Sequence, residues 1–136
     1  MRIVLDTNVL VSGLLSPYGP PGEIVRLVLT GEVSLCLDAR IAAEYREVLL
    51  RPRFGFDPDS IATLIDYLES SAEMVAGRPL ATRLPDPDDE AFLEVALAAG
   101  AECLVTGNLI HYPLDARAGV LVLSPAEVVE RYRQGH

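Results

Sequence analysis

Asp6, Glu44 and Asp89 are the residues of this chain whose types and positions could do chemistry together. Asp6 closes the apolar run Arg2-Ile3-Val4-Leu5. Glu44 lies inside a helical pattern, and Asp89 stands with Asp86 and Asp88 in the first turn of another. If the strand ending at Asp6 is central in its sheet, both helix positions can face its carboxyl end. Carboxylates gathered there would repel one another unless a cation held them. The pattern therefore points to a Mg²⁺ or Mn²⁺ site and to phosphodiester hydrolysis.

Each acid also has a purely structural alternative. Asp6-Thr7-Asn8 follows a strand and precedes a helix, where any of the three can accept orphan backbone N–H groups. Thr7 or Asn8 can supply that cap and leave Asp6 free to point into the cleft. Glu44 falls three residues after Ile41 and four before Val48, on the packed side of its helix, whereas Glu47 lies toward the edge. A glutamate on the packed side is costly unless paired or metal-bound. Asp86 is the expected N-cap before Pro87, and Asp88 and Asp89 both precede Phe92 by one turn. Attraction of acids to a helix N-terminus accounts for all three, and spacing does not choose between Asp88 and Asp89. Thr106 and Asn108, at a later strand end, offer a hydroxyl and a neutral oxygen, or simply a turn. His111 is a candidate proton carrier or a packing histidine before Tyr112-Pro113. His136, the last residue, is expected to be mobile.

Composition narrows the chemistry. The formal net charge is −9, from 20 acids against 11 basic residues, all of them arginine. Broad nucleic-acid affinity usually needs basic surface, so the charge argues against it without excluding an enzyme that holds phosphates through metal ions. The locally positive stretch holds Arg46, Arg51 and Arg53, with Arg40 just before it. These three are candidates for backbone phosphate contact, the alternative being ion pairs with neighbouring glutamates. The absence of lysine excludes a Walker phosphate loop, Schiff-base catalysis and the usual phosphoacceptor receiver. Neither G-x-G-x-x-G nor G-x-S-x-G occurs.

The elements that must position these groups follow from pattern. The chain's 136 residues, half of them hydrophobic, suit one domain over 1–136. Strands are expected at Arg2–Leu5, Val33–Leu37, Glu102–Thr106 and Val120–Leu123. Helices are expected over Asn8–Leu15, Glu23–Leu29 with Pro21 as a first residue, and Arg40–Leu50. A longer one follows Asp57-Pro58, with Ile61, Leu64, Ile65, Leu68, Ala72 and Val75 at helical period. Another opens at Asp86-Pro87 and ends at Gly100, and Ser124-Pro125-Ala126-Glu127 is a capping box for the last. The second pair of long helices reads as a hairpin inserted between strands, and Arg78–Pro85 as an irregular connection. Alternating strands and helices imply a three-layer α/β/α fold with a parallel sheet of four to five strands. Ligands in such sheets bind beyond the carboxyl ends of the strands, where Asp6 and Thr106-Gly107-Asn108 lie. The longest apolar stretch is far short of the ~20 residues a membrane span needs, and no signal-peptide pattern opens the chain, so a cytoplasmic location is expected. Cys36 and Cys103 fall inside predicted strands without metal-ligand spacing and are expected to be buried free thiols in a reducing compartment.

At these residues the chain resembles a PIN-domain protein, nearly end to end. The resemblance rests on Ile3-Val4-Leu5-Asp6-Thr7-Asn8-Val9-Leu10-Val11-Ser12-Gly13, on Glu44-Tyr45-Arg46-Glu47-Val48-Leu49 with Arg51-Pro52-Arg53-Phe54, on Asp86-Pro87-Asp88-Asp89-Glu90-Ala91-Phe92-Leu93 and on Leu104-Val105-Thr106-Gly107-Asn108. The branch is similar to the toxin components of bacterial and archaeal toxin–antitoxin pairs, the VapC-like ribonucleases. The resemblance implies metal-dependent RNA cleavage with Asp6, Glu44 and Asp89 as the acids that hold Mg²⁺ or Mn²⁺. It assigns supporting roles to Asn8, Thr106 and Asn108, with Asp86 as a helper. It also implies a cognate antitoxin and a homodimer or higher oligomer, for which the apolar helix Val9–Leu15 and the helical hairpin would offer surface. Many relatives carry aspartate where this chain has Asn108, which should weaken a second metal position more than the first. The rival from another class is a catalytically silent module that binds RNA or protein. A metal phosphatase is disfavoured, because position 8 is asparagine and lysine is absent.

Overall fold

The computed structural model describes residues 1–81 and 83–135; His136 lies outside the described residues, as does Thr82. In chain order, β1 (Arg2–Leu5), α1 (Thr7–Leu15) and α2 (Pro20–Leu29) are followed by β2 (Ser34–Leu37), α3 (Ala39–Leu49) and α4 (Pro58–Ser71). Then come β3 (Glu73–Met74), α5 (Glu90–Ala99), β4 (Cys103–Val105), β5 (Val122–Leu123) and α6 (Pro125–Gly135). Short 3-10 turns sit at Pro52–Phe54, Pro87–Asp89, Leu109–His111 and Leu114–Ala116. The architecture is α/β/α, with a five-stranded parallel sheet in the order β3-β2-β1-β4-β5.

That order makes β1 central. The chain runs from β1 outward through β2 and β3, then returns to lay β4 and β5 on the other side of β1. The reversal opens a crevice at the carboxyl ends of β1 and β4, where open α/β sheets bind ligands. Register completes the placement. Leu5 stands opposite Val105, and the Asp6 N–H donates to the Val105 carbonyl at 2.9 Å. Asp6 and Thr106 therefore leave adjacent strands side by side.

The central strands are buried on both faces, as near-continuous apolar runs in a parallel sheet require. Ile3, Val4, Leu5, Leu35, Leu37, Leu104 and Val105 all belong to one core cluster, with Cys36 and Cys103 buried and free among them. α5 packs on β1, β2 and β4, while α2 packs with α1 and α6. Local chemistry fixes the helix starts. Asp38 accepts the Ile41 N–H at 2.9 Å, Asp57 accepts the Ser60 N–H at 3.0 Å, and Ser124 and Glu127 exchange reciprocal bonds at 3.0 and 3.2 Å. No helix among the described residues is long and apolar enough to cross a membrane.

Several boundaries differ from the sequence reading. α2 begins at Pro20, because Gly19 takes the extended cap position and Pro20 has the fixed φ suited to a first helical residue. The acid-rich segment does not open a helix at once: a 3-10 turn over Pro87–Asp89 comes first, and α5 starts at Glu90. β4 and β5 are shorter than the apolar runs that contain them. β3 was not expected as a strand, and its two residues pair with Cys36 and Leu37. The α3–α4 hairpin lies between strands, as the crossover from β2 to β3. α1 spends Val9, Leu10 and Val11 inside its own fold, leaving Leu15, 49% exposed, as its spare apolar surface.

Gly13 sits where α1 meets α2. A Cβ there would fall 2.6 Å from Val25 Cγ2 and 2.7 Å from the Pro21 carbonyl oxygen. Gly13→Ala should therefore lower stability by about 1–3 kcal/mol through overpacking, although alanine is the better helix former. Urea titration should show a lower midpoint at unchanged slope; a midpoint at or above wild type would show that the two helices separate easily.

Candidate active site

Asp6 occupies the cap position of α1 with extended backbone angles, yet its side chain makes no cap hydrogen bond. The carboxylate turns instead toward β4 and the segment beyond it. Thr106 Oγ1 donates to Asp6 Oδ2 at 2.9 Å, and the Tyr112 hydroxyl donates to the same oxygen at 3.3 Å. Only 5% of Asp6 is exposed. Burial pushes its carboxyl above the ordinary range, and the Thr106 and Tyr112 bonds, then the Asn8 and Thr7 N–H groups, pull in the opposite direction.

Glu44 is reached from α1. Thr7, the first helical residue, donates its hydroxyl to Glu44 Oε2. Glu44 is partly buried on α3 beside Tyr45, whose hydroxyl donates to the Leu5 carbonyl and so ties α3 to the end of β1. Burial raises the Glu44 carboxyl, the Thr7 bond lowers it, and the charges of Asp6 and Asp88 raise it further. Asp89 is the inward member of the three acids before α5, because Asp86 and Asp88 are exposed. Its carboxyl is pushed up to about 6, first by burial, then by Asp6 and Asp86, with His111 opposing and Glu44 adding. Asp6, Glu44 and Asp89 thus come to one sheet edge, close enough for their charges to act on one another.

A divalent cation would meet donors of suitable chemistry here. All three acids offer hard oxygens, which suit Mg²⁺ or Mn²⁺. Asp89 Oδ2 is buried and makes no hydrogen bond within the described structure, although His111 Nδ1 lies 3.3 Å away. Such an orphaned oxygen is costly in a fold and is explained if something else satisfies it. Among the described residues, no arginine forms an ion pair with Asp6, Glu44 or Asp89. The side chains nonetheless do not stand as a ready coordination shell: among the described residues, no group of three or more His, Cys, Asp or Glu is arranged to hold a metal ion. The residues fit a cation in donor type and in unmet hydrogen-bonding capacity, with direct clasping by all three left to side-chain adjustment or to bridging water.

The remaining sequence candidates divide. Asn8 and Asn108 are exposed and line a cavity of about 250 Å³ with Gly107. The Asn108 N–H donates to Thr106 Oγ1 at 3.1 Å, which leaves that hydroxyl's hydrogen for Asp6. Asp86 accepts the Asp88 N–H at 2.9 Å, so its oxygen serves the 3-10 turn. Arg46 pairs with Glu69 and Arg51 with Glu47, each at 3.3 Å, and Arg53 lies 4.8 Å over the Phe54 ring. A second cavity, of about 380 Å³, joins Glu44 and Asp88 to Arg40 and Arg83. Arg40 is bound to Asp38 and Glu94, and Arg83 to Glu90. Tyr112 escaped the sequence reading, since it sits in a connection with no period. Glu90 did too: it is buried and held below its usual range by the Leu84 N–H and then by Arg83, anchoring the segment before the acids.

The comparisons with known proteins bear on this geometry. The sequence model of the PIN domain matches residues 2–109. The chain belongs to the PIN domain family. An uncharacterized protein of Methanocaldococcus jannaschii is 25% identical, over 79% of this chain and 71% of its own length. Among solved structures, VapBC2 from Rickettsia felis, bound to a DNA fragment from their promoter, aligns with a TM-score of 0.60 at 16% identity, over 91% of this chain and 98% of that one. PAE2754 from Pyrobaculum aerophilum aligns with a TM-score of 0.61 at 16% identity, over 98% and 90%. At that identity the two structures establish a shared fold. Within this PIN domain the matched region holds Asp6, Glu44, Asp89, Thr106 and Asn108, and it stops short of Tyr112.

The raised Asp89 carboxyl has a consequence for stability. Between the ordinary value of 3.8 and about 6, the folded chain keeps a proton that the unfolded chain has released. Stability from this group is present below the unfolded value and is lost as pH rises through about 6, by up to about 3 kcal/mol. Asp6 and Glu44 act in the same direction. In chelator, thermal melts of Asp89→Asn should exceed wild type increasingly as pH rises from 4 to 7, and excess Mg²⁺ should narrow the gap. Parallel curves for the two proteins would show that Asp89 ionises freely.

Proposed function

We propose that this chain is a metal-dependent endoribonuclease and the toxin of a toxin–antitoxin pair. The observation that carries the reading is the carboxylate group at the switch point of the sheet, with Asp89 Oδ2 accepting no hydrogen bond, only His111 Nδ1 3.3 Å from it, and no arginine ion-paired to it among the described residues. Membership of the PIN domain family supports nuclease chemistry, and the shared fold with VapBC2 supports the toxin branch.

In this reading Asp6, Glu44 and Asp89 hold Mg²⁺ or Mn²⁺, directly or through water. The ion supplies Lewis-acid polarisation of the scissile phosphate and a more acidic water. The chain's own groups do the rest. Thr106 and Tyr112 occupy Asp6 Oδ2 and favour its charged form. Thr7 does the same for Glu44. Asn8 and Asn108 line a neighbouring cavity with neutral amides, where an aspartate at 108 would have added charge for a second ion. Arg46, Arg51 and Arg53 are the proposed phosphate contacts. The acidic chain suits a basic antitoxin. Self-association would use exposed Leu15 together with the adjoining groove of about 470 Å³ lined by half-buried Leu14, Phe56 and Leu64.

The rival is a silent module that binds RNA or protein. Asn108 and the unassembled coordination shell favour it. One experiment separates the two: cleavage of a structured-RNA panel with Mn²⁺, Mg²⁺ or chelator, wild type beside Asp6→Asn. The nuclease reading expects cutting only with metal. It also expects a loss of at least about a hundredfold in Asp6→Asn, since metal charge stabilisation is worth several kcal/mol. Cutting in chelator, or equal cutting by both proteins, overturns it; a folded wild type that never cuts favours the silent module.

A further inference from the structure

We propose that Tyr112 is a positioning residue that sets Asp6 for its cation, an inference that rests on reading Asp6 as a metal ligand. Tyr112 is fully buried in the connection between β4 and β5, which carries no α-helix. It is pinned there by its backbone. Its carbonyl accepts from Arg117 Nε at 2.7 Å, and its N–H donates to the Leu109 carbonyl at 3.0 Å. That anchorage delivers the hydroxyl to Asp6 Oδ2 at 3.3 Å, beside the shorter Thr106 bond.

A residue that only filled the core could be phenylalanine, since a buried hydroxyl is costly unless bonded. This one meets a carboxylate oxygen, which can only accept while charged. Both hydroxyls fall on Oδ2, so Oδ1 is the oxygen left free of side-chain donors among the described residues. Fixing one oxygen with two hydroxyls orients the carboxylate at the start of α1, where the Asn8 and Thr7 N–H groups also favour its charged form. Hydrogen bonds from outside a coordination shell commonly tune metal affinity in this way. The sequence signal is absent from the matched PIN region, because residue 112 lies beyond it.

Mn²⁺ binding by calorimetry at pH 7 tests the proposal on wild type, Asp6→Asn and Tyr112→Phe. Wild type should bind, Asp6→Asn should not, and Tyr112→Phe should bind about 10–100-fold more weakly. The chelator melting temperature of Tyr112→Phe should stay near wild type, and its RNA cleavage should lose kcat with KM unchanged. If Tyr112→Phe binds Mn²⁺ as wild type does, the role of Tyr112 is overturned and the metal reading stands. If wild type and Asp6→Asn bind alike, or neither binds, the metal reading falls and takes this inference with it. Should Tyr112→Phe not fold, assigned ¹³C-tyrosine NMR of wild type decides: the Tyr112 ring resonances should move on adding Mg²⁺ and stay put in Asp6→Asn. No movement in wild type overturns the proposal.

Discussion

Holding several carboxylates together, largely out of water, is the constraint on which the rest of this structure depends. Like charges 4 Å apart repel by roughly 4 kcal/mol at an effective dielectric of about 20, and burial adds a desolvation cost. The usual remedy is an arginine or lysine between them. This chain has no lysine, and the arginines nearest the acids are committed elsewhere: Arg40 to Asp38 and Glu94, Arg83 to Glu90. Neutral donors take the place of cations. Asp6 receives two hydroxyls, Glu44 receives one, and Asp89 keeps an unbonded oxygen. Neutral donors hold a carboxylate without cancelling its charge. The negative potential in the cleft therefore survives, and a low-dielectric cleft of one sign concentrates counter-ions.

The topology explains why these particular residues meet. A parallel sheet places all strand carboxyl ends along one edge, and the reversal at β1 leaves a gap above β1 and β4. Asp6 and Thr106 reach that gap because the register sets Leu5 beside Val105. Glu44 reaches it because α3 follows β2, the other neighbour of β1, and Tyr45 fastens α3 to the Leu5 carbonyl. Asp89 reaches it through the 3-10 turn before α5, which packs across β1, β2 and β4. Each acid arrives on a separate element. The site is thus as rigid as the packing among those elements, and it disperses when they separate.

Much of this layout was legible in the sequence, for identifiable reasons. Apolar runs closed by Asp6 or Thr106 are unmistakable because both faces of a central strand are buried. Helix starts were legible where Asp38, Asp57 and Ser124 signal them. β3 was illegible because its two residues are exposed and are held by backbone pairing to β2, which needs no particular side chains. Spacing could not separate Asp88 from Asp89, since the turn preceding α5 is 3-10 and the helical period does not apply there. Tyr112 was illegible for a related reason: it is placed by a bond from Arg117 and by contact with a residue over a hundred positions earlier. The arginine count around residues 46–53 was readable, but not that Glu69, from the next helix, would meet Arg46.

Those arginine pairs bear on how an acidic chain could hold RNA in the proposed reading. Arg46 and Arg51 are about half exposed, and their carboxylate partners sit at 3.3 Å. Exposed pairs of this kind are worth about 0–1 kcal/mol, so a phosphate could take the glutamate's place at little cost. The Asp38–Arg40 pair differs. Asp38 is only 10% exposed on its side chain and also caps α3, so withdrawing Arg40 would leave a buried charge short of a partner. Arg40 therefore belongs to the framework even though it lines the cavity beside Glu44, whereas Arg46 and Arg51 are exchangeable and Arg53 lies over the face of Phe54. Accessibility to a cavity and availability to a ligand are separate properties here. The arginines free to change partners run from Arg46, two residues beyond Glu44 on α3, to Arg53 in the turn after it, so phosphate contacts there would follow the RNA backbone away from the carboxylates.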